Sequence, residues 1–243
     1  MLVLINLDSA SERRDRMTRQ LAEQALEFER VGLDFRRLDR DAVARAVQAR
    51  FPTLAFDLER LSGAEVGCWA SHLTAWQRLR ASGRESACVI EDDLHLAPGF
   101  ARAVARLGAA PHDLVYLGTS SRSLSQRRRV MVHELAVHAP LGVIFNTWGY
   151  VIRRPWVERF LAQGGPIELP IDHVLGGRAR WCRPSIGVLQ PAVVREDPQL
   201  GLASQIAPYT ARLDRSGVVE RLRRAFLGSR LSQLYYGTVY RLL

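Results

Sequence analysis

The sequence predicts an α/β fold in which helices flank a mostly parallel central sheet. Short apolar segments alternate with amphipathic helical patterns up to about residue 120, and this alternation is typical of strand–helix–strand units. The chain has 243 residues, of which 47% are apolar and 24% charged, so it lies in the ordinary globular range. We predict one domain over residues 1–210, followed by a basic amphipathic segment over residues 211–243.

The first predicted elements are a strand, a helix and a second strand. Residues 2–6 form an apolar run with the length of a buried strand. Ser9 and Glu12 then have the spacing of a capping box, which predicts that Ser9 caps the helix that follows. A second strand is predicted at residues 35–38.

The middle of the chain continues the alternation. Ser62 and Glu65 have the spacing of a second capping box, and the helix behind them is expected to end near Gly83. Strands are predicted at residues 87–90 and 114–117, because both segments are short and apolar.

The second half is less regular. Strand patterns at residues 130–137 and 142–152 precede a short helix at residues 155–163, and a late strand is predicted within residues 181–190. Residues 120–129 are polar, basic and without periodicity, which predicts a mobile loop.

The composition excludes several classes of protein. The formal net charge is +9, and arginine carries it alone because the sequence contains no lysine. Such a surface attracts nucleic acid, acidic lipid or phosphorylated substrates. The three cysteines, Cys68, Cys88 and Cys182, are odd in number and widely spaced, which excludes a disulfide scaffold.

The location of the protein follows from its apolar segments. Neither a signal peptide nor a run of 18 apolar residues is present, so we expect a cytoplasmic protein. The segment 211–243 leaves two interpretations open. It is either a helix packed on the domain or an interfacial helix that binds anionic lipid at the inner face of the cytoplasmic membrane.

Three consecutive carboxylates follow the predicted strand at residues 87–90. Glu91, Asp92 and Asp93 repel one another unless a cation or hydrogen-bond donors lie beside them. In an extended chain Glu91 and Asp93 point to one side and Asp92 to the other. The carboxyl ends of strands bind ligands in open α/β sheets, and carboxylates suit Mg²⁺ or Mn²⁺. The sequence therefore predicts a metal–diphosphate site, with a helix-capping acidic turn as the alternative.

Four segments carry a resemblance to a known family. They are residues 5–8 with Arg13 and Arg14, residues 63–76 (GAEVGCWASHLTAW), residues 89–98 (VIEDDLHLAP), and residues 148–152 (WGYVI) with Asp172 downstream. In this order the chain resembles glycosyltransferase family 25, the bacterial lipopolysaccharide and lipooligosaccharide glycosyltransferases related to collagen galactosyltransferases. The resemblance spans about residues 2–190.

The resemblance implies a GT-A-like fold and an inverting transfer of a hexose. It implies galactose from UDP-galactose as the donor, a hydroxyl of a lipopolysaccharide- or lipooligosaccharide-type glycan as the acceptor, and Mn²⁺ (or Mg²⁺) as the cofactor. By position, Asp93 and Glu91 are the expected metal ligands. The expected donor-binding residues are Asn6, Leu7, Asp8, Arg14, Ser71, Glu91 and Asp92.

Two residues are candidates for catalysis. Asp172 is expected to act as the general base on the acceptor hydroxyl, with helix capping as its alternative role. His72 lies within the helix that begins near residue 63, and it either contacts the donor or is a packed core histidine. His173 is a further candidate metal ligand beside Asp172.

Two other functions remain open from the residues alone. Another metal-dependent enzyme that handles nucleotides or phosphate would share the carboxylates but would not need residues 63–76. A basic nucleic-acid-binding protein would fit the charge, but no nucleic-acid module is recognisable and the acidic triplet repels phosphate. The expected partners are therefore a nucleotide-sugar donor and a glycolipid or oligosaccharide acceptor, without nucleic acid.

Overall fold

A computed structural model describes residues 1–119 and 124–197. The strands are β1 (Leu2–Ile5), β2 (Glu29–Val31), β3 (Leu54–Phe56), β4 (Ser86–Glu91), β5 (Leu94–Leu96), β6 (Leu114–Tyr116), β7 (Leu124–Val132), β8 (Leu135–Pro140), β9 (Gly149–Arg153), β10 (Gly165–Ile167), β11 (Ile186–Gln190) and β12 (Val194–Glu196). The helices are α1 (Ser11–Ala22), α2 (Arg40–Arg50), α3 (Gly63–Ser82), α4 (Phe100–Leu107), α5 (Arg154–Gln163) and α6 (Ile171–Leu175), with a 3₁₀ turn at Arg180–Cys182.

The central sheet has eight strands in the order β2-β1-β4-β9-β6-β11-β8-β7. Three of its pairings are parallel, namely β1–β2, β1–β4 and β6–β11. The other four are antiparallel. The predicted α/β class is confirmed, but the prediction of a mostly parallel sheet is wrong. The second half of the chain supplies β7 and β8 as a hairpin without a crossover helix, and hairpin strands are antiparallel.

The sheet separates two hydrophobic layers. Alternate residues of β1 face opposite sides, with Val3 in the layer that contains α3 and α5 and with Leu2 and Leu4 in the layer that contains α1 and α4. Side chains of adjacent strand positions point to opposite faces, so each buried strand serves both layers. Trp69 and Trp76 of α3 are fully buried in the first layer.

Helix α3 forms as predicted. Ser62 accepts a hydrogen bond from the Glu65 backbone, and the Glu65 carboxylate accepts one from the Ser62 backbone, so the capping box is complete. The helix is closed by Gly83, whose φ of 67° favours glycine.

The predictions for residues 9–38 are wrong in two places. Helix α1 begins at Ser11 without a side-chain cap, and the Ser9 hydroxyl accepts a hydrogen bond from Arg36 instead. The second strand is Glu29–Val31 and not residues 35–38. The segment after β2 leaves the sheet because it packs on α3, where the Ser71 hydroxyl accepts a hydrogen bond of 2.8 Å from the Leu33 backbone.

The predicted loop at residues 120–129 is partly a strand. Residues 124–129 belong to β7, which pairs with β8 at the edge of the sheet and exposes its arginines, so the expectation of a mobile loop is wrong there. Residues 120–123 lie outside the described residues. The same holds for the predicted segment 211–243 and its two interpretations.

Within residues 1–119 and 124–197, no helix is both long enough and apolar enough to cross a membrane.

Candidate active site

A cavity of about 160 Å³ opens where β1 and β4 end. These strands are parallel neighbours with Ile5 opposite Glu91, so their carboxyl ends meet at one edge of the sheet. The cavity is lined by Ile5, Asn6, Leu7, Arg13, Leu33, Asp34, Arg36, Ala64, Cys68, Ser71, Glu91, Asp92 and Asp93. The position agrees with ligand sites at the carboxyl ends of strands.

Asp92 is held by the protein itself. Asn6, which is 1% exposed, donates from Nδ2 to Asp92 Oδ2 at 2.7 Å and to the Ala10 carbonyl oxygen at 3.0 Å. Arg13 donates to Asp92 Oδ1 at 3.4 Å. Burial raises the pKa of Asp92 above its ordinary value, against the lowering effect of Asn6 and Arg13. Each oxygen of Asp92 therefore already accepts one hydrogen bond from the protein.

Asp93 is the least satisfied carboxylate of the cavity. Its Oδ1 atom is buried without a hydrogen-bond partner among the described residues, and its Oδ2 atom lies 3.9 Å from Arg13. Burial, followed by the charges of Glu91 and Asp92, raises the pKa of Asp93 to about 7. A cation beside Asp93 would satisfy Oδ1 and favour the ionised form. These properties fit a metal ligand.

Glu91 faces a different neighbour from Asp92. Its Oε1 atom accepts a short hydrogen bond from the Thr147 hydroxyl and lies 3.5 Å from His72 Nε2. The chain turns at Asp92 and Asp93 before β5 begins, so strand alternation does not extend through all three carboxylates. All three nevertheless line the cavity.

His72 lies behind Glu91 and is fully buried. Its Nδ1 atom lies 2.7 Å from the Tyr150 hydroxyl, to which Trp76 Nε1 donates at 3.1 Å. The His72 and Tyr150 rings stack with centroids 5.7 Å apart. Because no part of His72 is exposed, it meets the cavity only through Glu91, and direct contact with a donor sugar is not supported.

The other predicted donor-binding residues separate into two groups. Leu7 and Ser71 line the cavity, although the Ser71 hydroxyl is already engaged with backbone groups of α3 and of Leu33. Asp8 and Arg14 do not line it. Asp8 is exposed and pairs with Arg30, and Arg14 lies 3.6 Å from Asp15.

Asp172 lies at the start of α6. Its Oδ1 atom accepts a hydrogen bond of 2.9 Å from the His173 backbone, and its Oδ2 atom accepts one of 3.5 Å from the Asn146 backbone. The alternative role as an N-cap is wrong, because Pro170 occupies that position and α6 has no side-chain cap. Asp172 is close enough to Cys68 for its charge to raise the pKa of that thiol, after burial and Glu91.

His173 is in contact with an arginine. It is buried, and its Nδ1 atom lies 2.9 Å from an Arg178 nitrogen. Burial lowers the pKa of His173, and so does the Arg178 charge, while the Asp172 charge raises it. The arginine contact does not favour His173 as a metal ligand.

Several site residues were not predicted from the sequence. Arg13 lies in the first turn of α1, within a segment that carries the family resemblance. Thr147 gave no such signal, and Tyr150 lies in the family segment 148–152 without a predicted site role. The pairing of β9 with β4 brings Thr147 to Glu91 and Tyr150 to His72.

Comparison with known proteins defines the class. The profile described as glycosyltransferase family 25 (LPS biosynthesis protein) matches residues 1–175. A glycosyltransferase 25 family member of Aedes aegypti is 29% identical over 187 residues, covering 72% of this chain and 30% of that protein. Procollagen galactosyltransferase 1 of Danio rerio is 29% identical over 185 residues, covering 71% of this chain and 30% of that protein. Procollagen galactosyltransferase 2 of Homo sapiens is 26% identical over 185 residues, covering 72% of this chain and 29% of that protein.

These matches establish the family. The profile covers well over half of the chain, and the chain belongs to glycosyltransferase family 25. The mixed α/β architecture is consistent with a glycosyltransferase fold. The chain spans about 30% of the length of these curated relatives.

Proposed function

We propose that the protein transfers a hexose from a nucleoside-diphosphate sugar to a hydroxyl of a glycan acceptor, with inversion at the anomeric carbon. The observation that carries the proposal is the Asp93 carboxylate, whose Oδ1 atom is buried without a partner among the described residues beside the cavity at the ends of β1 and β4. Buried polar groups are normally paired, so an unpaired carboxylate oxygen beside a cavity is suited to bind a cation there.

The cofactor in this proposal is Mn²⁺ or Mg²⁺. Asp93 and Glu91 would hold it, because both line the cavity and Asp92 is occupied by Asn6 and Arg13. Oxygen ligands suit these hard cations, which commonly take one or two carboxylates together with substrate phosphates. When bound, such an ion neutralises the charge that develops on the departing diphosphate.

Other side chains of the protein position the donor and accept the proton of the acceptor. Asn6 and Arg13 fix Asp92 at the cavity edge, and Leu7 and Ser71 border the space for the donor. Asp172 is the proposed general base, which takes the proton of the acceptor hydroxyl as its oxygen attacks the anomeric carbon. Inversion requires that this base lie across the sugar from the leaving group, as in inverting hydrolysis.

Donor and acceptor are proposed from the names of similar proteins. The galactosyltransferase names of the relatives support galactose as the transferred sugar, and UDP as its carrier is proposed from the family resemblance alone. The family description as an LPS biosynthesis protein supports a lipopolysaccharide-type acceptor, whereas the relatives named procollagen galactosyltransferases support a collagen-type acceptor. We favour the lipopolysaccharide-type glycan, and with it a protein that works at the cytoplasmic membrane surface. The net charge of +9 suits a phosphorylated glycolipid.

The test begins with donor binding. Calorimetric titration with UDP and UDP-galactose should show binding that strengthens with Mn²⁺ and is lost in Asp93→Asn. Asp15→Asn is the matched control, because Asp15 is 63% exposed on α1 and lies outside the cavity lining. Transfer of labelled galactose is then compared between a truncated lipopolysaccharide and a collagen-type peptide. Folded protein that binds no uridine nucleotide, with or without Mn²⁺, would contradict the proposal.

A further inference from the structure

One thiol, one imidazole and one carboxylate meet between α3 and β4. Cys68 Sγ, a ring nitrogen of His72 and a carboxylate oxygen of Glu91 all lie within 4.8 Å of one another. Cys68 and His72 are four residues apart on α3, so their side chains share one face of the helix. Glu91 reaches the same point from the end of β4.

The two nitrogens of the His72 ring have different neighbours, and Nε2 lies 3.5 Å from Glu91 Oε1. Nδ1 lies 2.7 Å from the Tyr150 hydroxyl, whereas the buried Nε2 atom has no hydrogen-bond partner among the described residues. A metal-bound histidine almost always donates its other N–H to a neighbouring acceptor. The Tyr150 oxygen can be that acceptor, since a phenol both donates and accepts.

We propose that Cys68, His72 and Glu91 form a binding site for a thiophilic divalent cation of the Zn²⁺ class, and that this site shares Glu91 with the proposed Mn²⁺ site. Sulfur, imidazole and carboxylate are the ligand set of zinc, whereas Mn²⁺ and Mg²⁺ prefer oxygen alone. Three protein ligands leave the fourth tetrahedral position open. That position faces the cavity, because Cys68 and Glu91 both line it.

The surrounding charges favour a cation at this point. The carboxylates of Glu65, Glu91, Asp93 and Asp172 all act on Cys68. Arg13, the cavity arginine nearest to the acidic triplet, is directed to Asp92 and Asp93. The negative charge that disfavours a free thiolate therefore becomes favourable once a divalent cation compensates it.

The shared carboxylate has a functional consequence, which rests on the proposed transferase function. Two divalent cations that share the Glu91 carboxylate repel each other at short range, so we expect the thiophilic cation to displace Mn²⁺ and inhibit transfer. Binding of the thiophilic cation itself does not depend on that function.

The first test is the electronic spectrum of the full-length protein titrated with Co²⁺, which replaces zinc as a coloured probe. We expect a near-ultraviolet thiolate-to-cobalt charge-transfer band in the unmodified protein. The band should disappear in Cys68→Ser and persist in Cys182→Ser, a matched control because Cys182 is a buried free thiol outside the cluster. Absence of the band in the unmodified protein, or its persistence in Cys68→Ser, would overturn the site.

The second test measures Zn²⁺ affinity by competition with a chromophoric chelator. Cys68→Ser should weaken Zn²⁺ binding at least tenfold and leave Mn²⁺ binding within about twofold. Addition of Zn²⁺ should release bound Mn²⁺. The electron paramagnetic resonance signal of Mn²⁺ measures this release. Simultaneous binding of both ions with unchanged Mn²⁺ affinity would overturn the shared ligand. These measurements use no nucleotide sugar, so an inactive transferase would contradict the proposed function and leave the thiophilic site intact.

Discussion

The side-chain amide of Asn6 and the carboxylate of Asp92 are joined by a hydrogen bond of 2.7 Å across 86 positions of the sequence. They meet because β1 and β4 are parallel neighbours with Ile5 opposite Glu91, so the residues that follow both strands leave the sheet at one edge. This bond engages Asp92 and leaves Asp93 as the carboxylate with an unsatisfied oxygen.

Removal of the Asn6 amide should destabilise the fold and the site together. Asn6→Ala leaves a partly buried carboxylate without its best donor, and hydrogen bonds to charged groups contribute about 1.5–3 kcal/mol. We expect the free energy of unfolding in urea to fall by about 2 kcal/mol. Gln48→Ala, which removes an exposed amide from α2, should change it by less than about 0.5 kcal/mol. Equal effects of the two substitutions would contradict the role of Asn6.

The Tyr150 hydroxyl should matter more than the Tyr116 hydroxyl on the neighbouring strand. Tyr150 contacts His72 Nδ1 and Trp76 Nε1, so Tyr150→Phe leaves two buried polar groups unpaired. Each unpaired group destabilises the fold by about 1–3 kcal/mol. The Tyr116 hydroxyl is buried without a hydrogen-bond partner in the described part of the chain. Tyr116→Phe should therefore be neutral or slightly stabilising. Urea denaturation of both variants checks the contrast, and a larger loss for Tyr116→Phe would refute it.

Asp93 should make the metal-free protein less stable as the pH rises. Its folded-state pKa of about 7 lies above the ordinary value of 3.8, so the folded state binds the proton more tightly than the unfolded state. The resulting stability is present below about pH 4 and is lost as the pH rises through about 7. Asp93→Asn should therefore be more stable than the unmodified protein at pH 8, by on the order of 1 kcal/mol. The difference is limited because the Asp93 side chain is 32% exposed and solvent screens its charge.

Thermal unfolding at pH 4.5 and pH 8, in the presence of a chelator, measures this difference. The advantage of Asp93→Asn should shrink toward zero at the lower pH, because the unmodified Asp93 is then protonated as well. Asp15→Asn is the control at both values, since Asp15 is exposed on α1. A stability advantage of Asp93→Asn that grows on acidification would show that the pKa of Asp93 is not raised in the folded state.

Mn²⁺ binding should weaken on acidification for the same reason. A proton on Asp93 competes with the cation, and a pKa of about 7 means that the carboxylate is mostly protonated at pH 6. We expect the Mn²⁺ dissociation constant to rise about tenfold between pH 8 and pH 6. Calorimetric titration at the two values measures the change, and a constant affinity would exclude Asp93 as a ligand.

The sequence predicted local elements better than long-range neighbours. The strand at β1, helix α3 with its capping box and the carboxylates after β4 follow from local patterns of apolar, capping and acidic residues. The direction of β9 does not, because its antiparallel pairing with β4 and β6 depends on the path of the chain between distant segments. The sheet is mixed for that reason, and no local periodicity reports it.

The same limit applies to the site. Asp93 and Glu91 were predicted because they lie two residues apart at the end of a strand and match the acidic motif of the family. Thr147 and Tyr150 reach the site from β9 and the loop before it, so only the folded sheet shows that they contact Glu91 and His72. His72 was predicted as a candidate, but its complete burial behind Glu91 depends on packing that helical spacing does not determine.

Asp172 should be needed for the chemical step and not for donor binding. Asp172→Asn keeps an oxygen that can accept from the His173 backbone, so the local structure of α6 should persist. The amide cannot take the proton of the acceptor hydroxyl, and loss of a general base lowers rates by about 10²–10⁴-fold. We therefore expect kcat for galactose transfer to fall by that factor, with the UDP-galactose dissociation constant unchanged within about twofold. Asp41→Asn, an exposed change on α2, is the control for the loss of one charge. If kcat of Asp172→Asn matched that of Asp41→Asn, the base would have to be a carboxylate that lines the cavity, which Asp172 does not.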